Sequence, residues 1–492
     1  MSTDDTLRIG GLGSSMDIEG TIEALLASDA ANIKEAEETQ TTRSEKIAAW
    51  NAIKDALSAF TDAANTLRWM DIWRDIAATS SDTNVLTATA ATTAPKDTYS
   101  IEVTQLARAQ TIGSTSGLTT GGASPVPVTS STLLVDIAGI SAGDQFAIAG
   151  QTFTIAADDT LSSLRTKIND ASASMPEDQR VTASILDNRL VLQRAQTGED
   201  GIILSDTTGS PLQALGLLDA LGEPAHELLA GQNALFTING ASVERAANTG
   251  LTDVIGGVTL NLVGLGSSTL TTDLDTTAIK TAITTFVDSY NAYAEVMESY
   301  TTYNTVDEES PVPGLLQNDS LAREITYAMR DQVTQMSPYL TADNAAYDYN
   351  GQTGIMDSLQ DIGIWTTGKE NRISIADEER LDALLRQEPE KMEQLFRGAQ
   401  TSSGARVGGI ALDAYNASRN YSSDLDGWID VRIENINDEI DDYTDTIDKM
   451  ISDMAAKESL LWEKFNAMDE AVAEMNSTLK YVKANLGITD SE

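Results

Sequence analysis

Cysteine is missing from the 492-residue chain, which removes disulfides, thiolate catalysis and cysteine metal sites together. The single histidine, His226, sits in the loop-like stretch Gly222-Glu-Pro-Ala-His-Glu227, so a histidine triad or multi-histidine metal centre lacks its material. Positive charge is scarce: 32 Lys and Arg stand against 75 Asp and Glu, a net charge of −43. A field of that sign repels nucleic acid and anionic membrane surfaces, and makes self-association depend on apolar seams and salt screening. No uninterrupted apolar run is long enough to span a bilayer, and the N-terminus MSTDDTLRIGGLGSSMDIEG carries neither a basic n-region nor an apolar h-region. Nucleic-acid binding, membrane insertion, a cleaved signal peptide and a bound cofactor are therefore not expected.

Proline is also rationed, and its ten copies all fall between Pro95 and Pro389. Both chain ends thus lack the strongest helix breaker. The stretch Trp428 to Leu486 has neither proline nor glycine and is bounded by Gly427 and Gly487. Its apolar residues recur at steps of three and four: Ile433, Ile436, Ile440, Tyr443, Ile447, Met450 and Met454, then Leu461, Phe465, Met468, Val472, Met475, Leu479, Val482 and Leu486. This is a heptad seam on one long helix. At about 1.5 Å per residue it spans roughly 90 Å, more than a globular domain can cover, so it requires a partner helix. The candidate lies at the other end of the chain. There Ile18, Ile22, Leu25, Leu26 and Ile33 form a periodic segment that resumes, after a polar patch at Thr39 to Arg43, with Ile47, Trp50, Ile53, Leu57, Phe60, Ala64 and Leu67. The competing reading keeps the two as solvent-facing helices of separate bundles, because pattern alone rarely fixes topology.

Between the ends the composition turns to Thr, Ser, Val and Ala, with strand-like alternation in Tyr99-Ser-Ile-Glu-Val103, Phe146-Ala-Ile148 and Phe153-Thr-Ile155. The Gly, Ser, Thr and Pro-rich run Gly113 to Ser131 reads as a linker or boundary between two β-rich modules. A hairpin over Phe146 to Ile155, a helix through Leu161, Leu164 and Ile168, and strands at Val181–Ile185 and Leu190–Leu192 form a compact insertion. The β pattern resumes at Ala234, with Asn239-Gly240 as a two-residue hairpin signal, and runs through Val258–Leu262. Helices follow from Ile279 to Tyr293, Leu321 to Met336 and Glu378 to Leu385, with a hairpin joining Ile362-Gly-Ile-Trp365 to Arg372-Ile-Ser-Ile375. The expected fold is multidomain α+β, with long N- and C-terminal helices forming a coiled-coil-like stalk and nested β-rich domains inserted between them. Its parts are terminal mobile helical segments at 1–40 and 465–492, a helical stalk domain with a small hairpin at 41–78 and 277–464, a β-rich domain at 79–112 and 228–276, and an inserted β-rich α+β domain at 113–227.

Few residues invite chemistry. Asp348-Tyr-Asn350-Gly351 resembles the middle of a calcium loop, but Ala346 and Asp357 occupy the positions of the first and last ligands, which favours an ordinary Asn-Gly turn. The leader Gly10-Gly-Leu-Gly-Ser14 is not a phosphate loop, since no strand precedes it and no Lys-Ser/Thr pair follows. The acids between Asp438 and Asp448 are spread over the outer faces of a helix, as a solvated surface would be. Met450, Met454, Met468 and Met475 supply an adaptable apolar surface, and the run Met454 to Leu461 to Phe465 inserts an extra step of four, a stutter that locally unwinds a coiled coil.

Several stretches, in order along the chain, resemble the bacterial flagellar filament-capping protein family, also called hook-associated protein 2. They are Gly11-Leu-Gly-Ser-Ser-Met-Asp17 with Ile22-Glu-Ala-Leu-Leu26, Tyr99-Ser-Ile-Glu-Val-Thr-Gln-Leu-Ala107, and Phe286-Val-Asp-Ser-Tyr-Asn291. Further along come Leu359-Gln-Asp-Ile-Gly-Ile364, Leu395-Phe396 after Pro389, and Phe465-Asn-Ala-Met468-Asp with Met475-Asn476-Ser. The segment Leu161 to Leu217 is similar to a small module that recurs in flagellar axial proteins. The resemblance implies a structural assembly factor and no enzyme. It would cap the distal end of the flagellum and promote incorporation of exported flagellin, as a ring of about four to six subunits with a pentamer favoured. It also implies extracellular placement at the flagellar tip, export by the flagellar secretion apparatus, and contact with flagellin, hook-filament junction proteins and an export chaperone at the C-terminal helix. An unpaired, mobile leader would suit passage through a narrow channel. The expected subunit and filament contacts are Ile18, Ile22, Leu25, Leu26, Trp50, Leu57 and Phe60 on the first helix, and Ile436, Ile440, Ile447, Leu461, Phe465, Met468, Val472, Met475 and Leu479 on the last. The alternatives are a hook-filament junction protein, a coiled-coil-ended surface adhesin and, ranked last, a hydrolase using paired carboxylates.

Overall fold

The computed structural model describes residues 17–304, 312–368 and 371–486. The Gly10–Ser14 leader and Gly487 lie outside them. The chain divides into a helical unit, made of the N-terminal part up to Met70 and the part from Thr276 onward, and a β-rich unit, Asp71–Asp275.

Helix α1 runs unbroken over Ile18–Arg68, and the Asp17 side chain caps it by accepting from the Gly20 amide at 2.9 Å. The polar patch does not interrupt it. Thr39, Thr41 and Thr42 turn their hydroxyls back onto the carbonyls of Glu35, Glu37 and Glu38, which keeps those groups satisfied within the helix. The helix ends where Trp69 becomes extended. Ile76–Ser80, whose first residues were expected in the stalk domain, is instead a strand of the β-rich unit, because its residues pair in register with Leu270–Leu274.

In the β-rich unit, β1 (Ile76–Ser80), β2 (Leu86–Ala90), β3 (Asp97–Gln105), β4 (Ala234–Ile238), β5 (Ala241–Arg245), β6 (Leu251–Ile255), β7 (Val258–Leu262) and β8 (Gly266–Leu274) build two antiparallel sheets, ordered β1-β8-β3-β4-β5 and β6-β7-β2. Their inward residues, Ile101, Val103, Phe236, Leu260 and Leu270 among them, form one core. Asn239 and Gly240 take positive φ values of 49° and 82° in the two-residue turn that joins β4 to β5. The residues between β3 and β4 fold around a second core in which Phe146, Leu161, Leu164, Ile168 and Leu192 are fully buried. Thr160 and Ser163 close a reciprocal capping box at the start of the helix Leu161–Ser172.

The run Gly113 to Ser131 is not a free linker. Ser114 donates its amide to Leu190, Gly121 to Asp136 and Val128 to Leu118, and the Val128 side chain joins the inserted core. Small polar residues pack as structure here because neighbouring strands satisfy their backbone groups.

In the helical unit, α2 (Thr276–Thr301), α3 (Ser320–Thr334), α4 (Glu378–Gln387), α5 (Pro389–Arg397), α6 (Ile410–Ser422) and α7 (Trp428–Leu486) follow. Their centre is aromatic: Phe60 of α1 lies 5.0 Å from Phe286 and 5.6 Å from Tyr290 of α2, and Phe286 meets Phe396 of α5 edge-on at 6.3 Å. Thr61 hydrogen-bonds Ser418 at 2.8 Å, a small polar contact that lets α1 and α6 approach closely. The expected hairpin pairs Ile364–Thr366 with Ile373–Ile375. Asn291 clamps it to α2 by exchanging two hydrogen bonds with the backbone of Ile373. Gly427 sets the start of α7: a Cβ there would stand 2.4 Å from the Ser423 carbonyl oxygen.

Candidate functional site: the paired terminal helices

The first and last helices pair antiparallel. Lys457 meets Asp29 at 2.7 Å, Gln40 donates to Thr444 at 2.6 Å, Arg43 to Glu439 at 2.8 Å and Lys54 to Asp430 at 2.7 Å, so partners rise along α1 as they fall along α7. The Arg43 guanidinium also lies 4.4 Å from the centre of the Tyr443 ring. Lys54 takes a second carboxylate, Asp424, at 2.7 Å. Burial pulls its ammonium down, and the two carboxylates outweigh it and leave the group above its ordinary value. The polar residues Gln40 and Arg43 interrupt the apolar pattern because they face the partner helix, a role that charge type alone does not reveal.

Apolar burial falls off along α7 toward Leu486, whereas α1 is buried again at Ile18 and Ile22. Trp50, Leu57 and Phe60 are fully buried in the helical core, and Ile436 is buried as well. Farther out, Ile33, Ala36 and Ile447 form a small core of their own, with Tyr443, Met450 and Met454 packed against it. Ile18 and Ile22 are buried, whereas Leu26, Ile440, Leu461 and Phe465 are half-buried and Leu25 is exposed. Beyond them Val472 is half-buried, Met468 is exposed, and Met475 and Leu479 stand 64% and 52% exposed. The structure thus brings the sequence-predicted positions onto one helix pair and divides them into buried pairing residues and exposed ones. It also shows a groove alongside, lined by Ile22, Leu26, Ala30 and Ala31 of α1 and by Met454 and Trp462 of α7. Trp462 was absent from the heptad reading because it lies one residue off the seam.

The rest of the molecule offers little chemistry. Among the described residues no group of three or more Asp, Glu or His is placed to hold a metal ion. The Asp348–Gly351 stretch is a hairpin turn in which Asp348 accepts from the Gly351 amide at 2.9 Å. The His226 ring contacts the Thr115 hydroxyl at 3.1 Å, and its backbone carbonyl accepts from Gly113. No described helix is long and apolar enough to cross a membrane.

A family model described as flagellar hook-associated protein 2 C-terminus matches residues 231–477, and one for the N-terminus of the same protein matches residues 14–110. The chain belongs to the flagellar hook-associated protein 2 family. It is similar to the A-type flagellar hook-associated protein 2 of Pseudomonas aeruginosa, 27% identical over 501 residues that cover 96% of this chain and 95% of the relative. It is likewise similar to flagellar hook-associated protein 2 of Escherichia coli, 28% identical over 489 residues that cover 96% of each. A crystal structure of the D1-D2-D3 domains of the flagellar cap protein FliD from Escherichia coli resembles it with a TM-score of 0.53 and 27% identity, covering 79% of this chain and 99% of that one. Several of the stretches that resemble the hook-associated protein 2 family hold the scaffold. Asn291 pins the hairpin, Leu395 and Phe396 fill the helical core, and Gly363 adopts a φ of 87° where a Cβ would lie 2.6 Å from the Asp377 carbonyl oxygen.

Proposed function

We propose that this chain caps the distal end of the bacterial flagellar filament and acts as a structural assembly factor, not an enzyme. Membership of the hook-associated protein 2 family supports the reading, and the relatives named above leave the hook-filament junction and adhesin alternatives without support. The observation that carries it within this structure is the apolar stripe left uncovered along the terminal helix pair. Such a stripe is a docking surface, because each fully buried apolar side chain contributes about 1.5 to 3 kcal/mol when it leaves water.

In this reading Trp50, Leu57, Phe60, Ile436 and Ile447 hold one subunit together. Ile18 and Ile22 are buried within the chain as well, whereas Leu25, Leu26, Ile440, Leu461, Phe465, Met468, Val472, Met475 and Leu479 complete their burial against neighbouring subunits and flagellin. The parts at 1–40 and 465–492 do the docking, the remaining helical residues form the stalk domain, and the two β-rich domains form the plate. The assembly is a homo-oligomeric ring of about four to six subunits, five favoured, outside the cell at the filament tip. Export runs through the flagellar secretion apparatus, with a chaperone on the C-terminal helix, and the ring promotes incorporation of exported flagellin next to the hook-filament junction proteins.

The test is electron microscopy of labelled protein on growing filaments, with the full chain compared against a chain ending at Gly427. Label at the distal tips with the full chain, and loss of capping with the shortened one while the β-rich unit stays folded, is the expected result. Label at the hook junction, or undiminished capping by the shortened chain, would sink the reading.

A further inference from the structure

The last turns of α7 and the groove beside Ile22 are two apolar surfaces left open in the single chain. Val472, Met475, Leu479, Val482 and Leu486 recur at steps of three and four, and the last four of them are exposed. They form an apolar stripe about 21 Å long at 1.5 Å rise per residue. The groove runs from Glu19 to Lys34 along α1, about 22 Å by the same rise. Its floor is made shallow by Ala27, Ala30 and Ala31, which lets a third helix come close. Charge matches as well as length. Glu19, Glu23 and Glu458 border the groove with a single lysine, Lys34. The tail after Glu474 carries Lys480 and Lys483 and no acid up to Leu486, in a chain whose net charge is −43.

The tail cannot reach the groove of its own molecule. Met454, Glu458 and Trp462, which line the groove, belong to the same continuous helix as the tail, and no glycine or proline between Trp428 and Leu486 allows that helix to fold back. We propose that the tail of α7, Val472 to Leu486, docks in the α1/α7 groove of a second copy of this chain and converts each helix pair into a three-helix bundle. Groove and tail are different patches of one chain, so the contact is head-to-tail and builds a closed ring when the rotation between copies permits. The inference rests on reading these helices as contacts between subunits and specifies which surfaces meet.

The natural absence of cysteine makes a disulfide test clean. Full-length Ala30→Cys and Leu479→Cys chains of different mass are mixed and mildly oxidised, with Glu45→Cys, on an exposed position of α1, replacing Ala30→Cys in the control. The expected result is a mixed disulfide at least about tenfold more abundant than in the control, and an equal yield overturns the inference. In parallel, Met475→Glu with Leu479→Glu changes only exposed positions and leaves the monomer folded by circular dichroism. It should raise the protein concentration for half-assembly by at least about tenfold, equivalent to about 1.4 kcal/mol. Unchanged assembly overturns the inference, as does lost assembly without the cross-link, which would place the tail on another surface or another protein. Cross-linked rings that fail to locate at filament tips would instead overturn the capping function and leave this contact standing.

Discussion

Replacing Ile447 by Ala tests whether the outer part of the helix pair is a separate, weakly held element. Ile447 is 7% exposed and lies in a core whose other buried members are Ile33 and Ala36. The change removes three buried carbons at about 0.8 kcal/mol each, about 2.2 kcal/mol after scaling for burial. Tyr443, Met450 and Met454 are only half-buried around it, so they can relax into the space and the cavity contribution stays small. Alanine's better helix propensity returns about 0.4 kcal/mol, leaving a loss of about 2 kcal/mol. Local opening of this seam should then be favoured about 30-fold, since each 1.36 kcal/mol is a factor of ten. Hydrogen exchange read by mass spectrometry should show peptides around Ile33 and Tyr443 to Met454 exchanging about 30-fold faster, with those from β3 unchanged. Unaltered exchange in the seam, or equal acceleration in both units, would refute the reasoning.

Trp50 is fully buried and its indole Nε1 has no hydrogen-bond partner among the described residues. Trp50→Phe removes that unsatisfied donor, worth about 1 to 3 kcal/mol, which offsets the lost volume, so the melting temperature should stay within about 3 °C of the parent. Trp50→Ala should cost about 3 to 5 kcal/mol, and a Phe variant as unstable as the Ala variant would contradict the account. Burial pushes the Tyr290 phenol up to about 12, whereas the unfolded chain titrates it near 10. The folded state keeps a proton that the unfolded state has lost, so this contribution is intact below about pH 10 and falls by up to about 2.7 kcal/mol as pH rises to 12. Urea midpoints across that range should decline less steeply in Tyr290→Phe, and an identical slope would count against the assignment. Finally, a net charge of −43 opposes compaction and association. Raising salt from about 0.1 to 1 M, which shortens the Debye length from about 10 to 3 Å, should raise both the urea midpoint and the assembled fraction. A flat or falling response would rule out self-repulsion as the controlling force.

What the sequence discloses here depends on the range of the physics. The extent of α7 is legible because an apolar repeat between two glycines is a local signal, and Gly427 stands where a Cβ has no room. The turns at Asn239-Gly240 and Asn350-Gly351 are legible for the same reason, since both residues of each pair take positive φ. The end of α1 is not. Arg68 is followed by neither glycine nor proline, yet the chain turns extended at Trp69, and β1 beyond it takes its pairing from β8, far away in sequence. The clamps from Gln40 and Arg43 join residues about four hundred positions apart, and polar residues facing a partner helix read the same as polar residues facing water. The groove is also hidden, since it depends on the register of two helices and on Trp462, which lies off the heptad line.

The same gradient explains how one helix pair can be both a stable scaffold and an adhesive. Near the helical core, α1 is covered by α2 and α6 as well as α7, and Trp50, Ile53, Leu57 and Phe60 are fully buried. Farther out along α7 burial thins, so Leu461 and Phe465 are only half-buried, and at the tail of α7 Met475 and Leu479 stay mostly in water. The ion pairs at Arg43, Lys54 and Lys457 fix register, but the exposed ones contribute little stability, on the order of 1 kcal/mol or less each. Apolar free energy left unused in the monomer is therefore greatest where the chain is held most weakly. A partner helix that covers the open flank would add burial and order the outer pair in one step, so stability of the stalk and affinity for its partner draw on the same side chains.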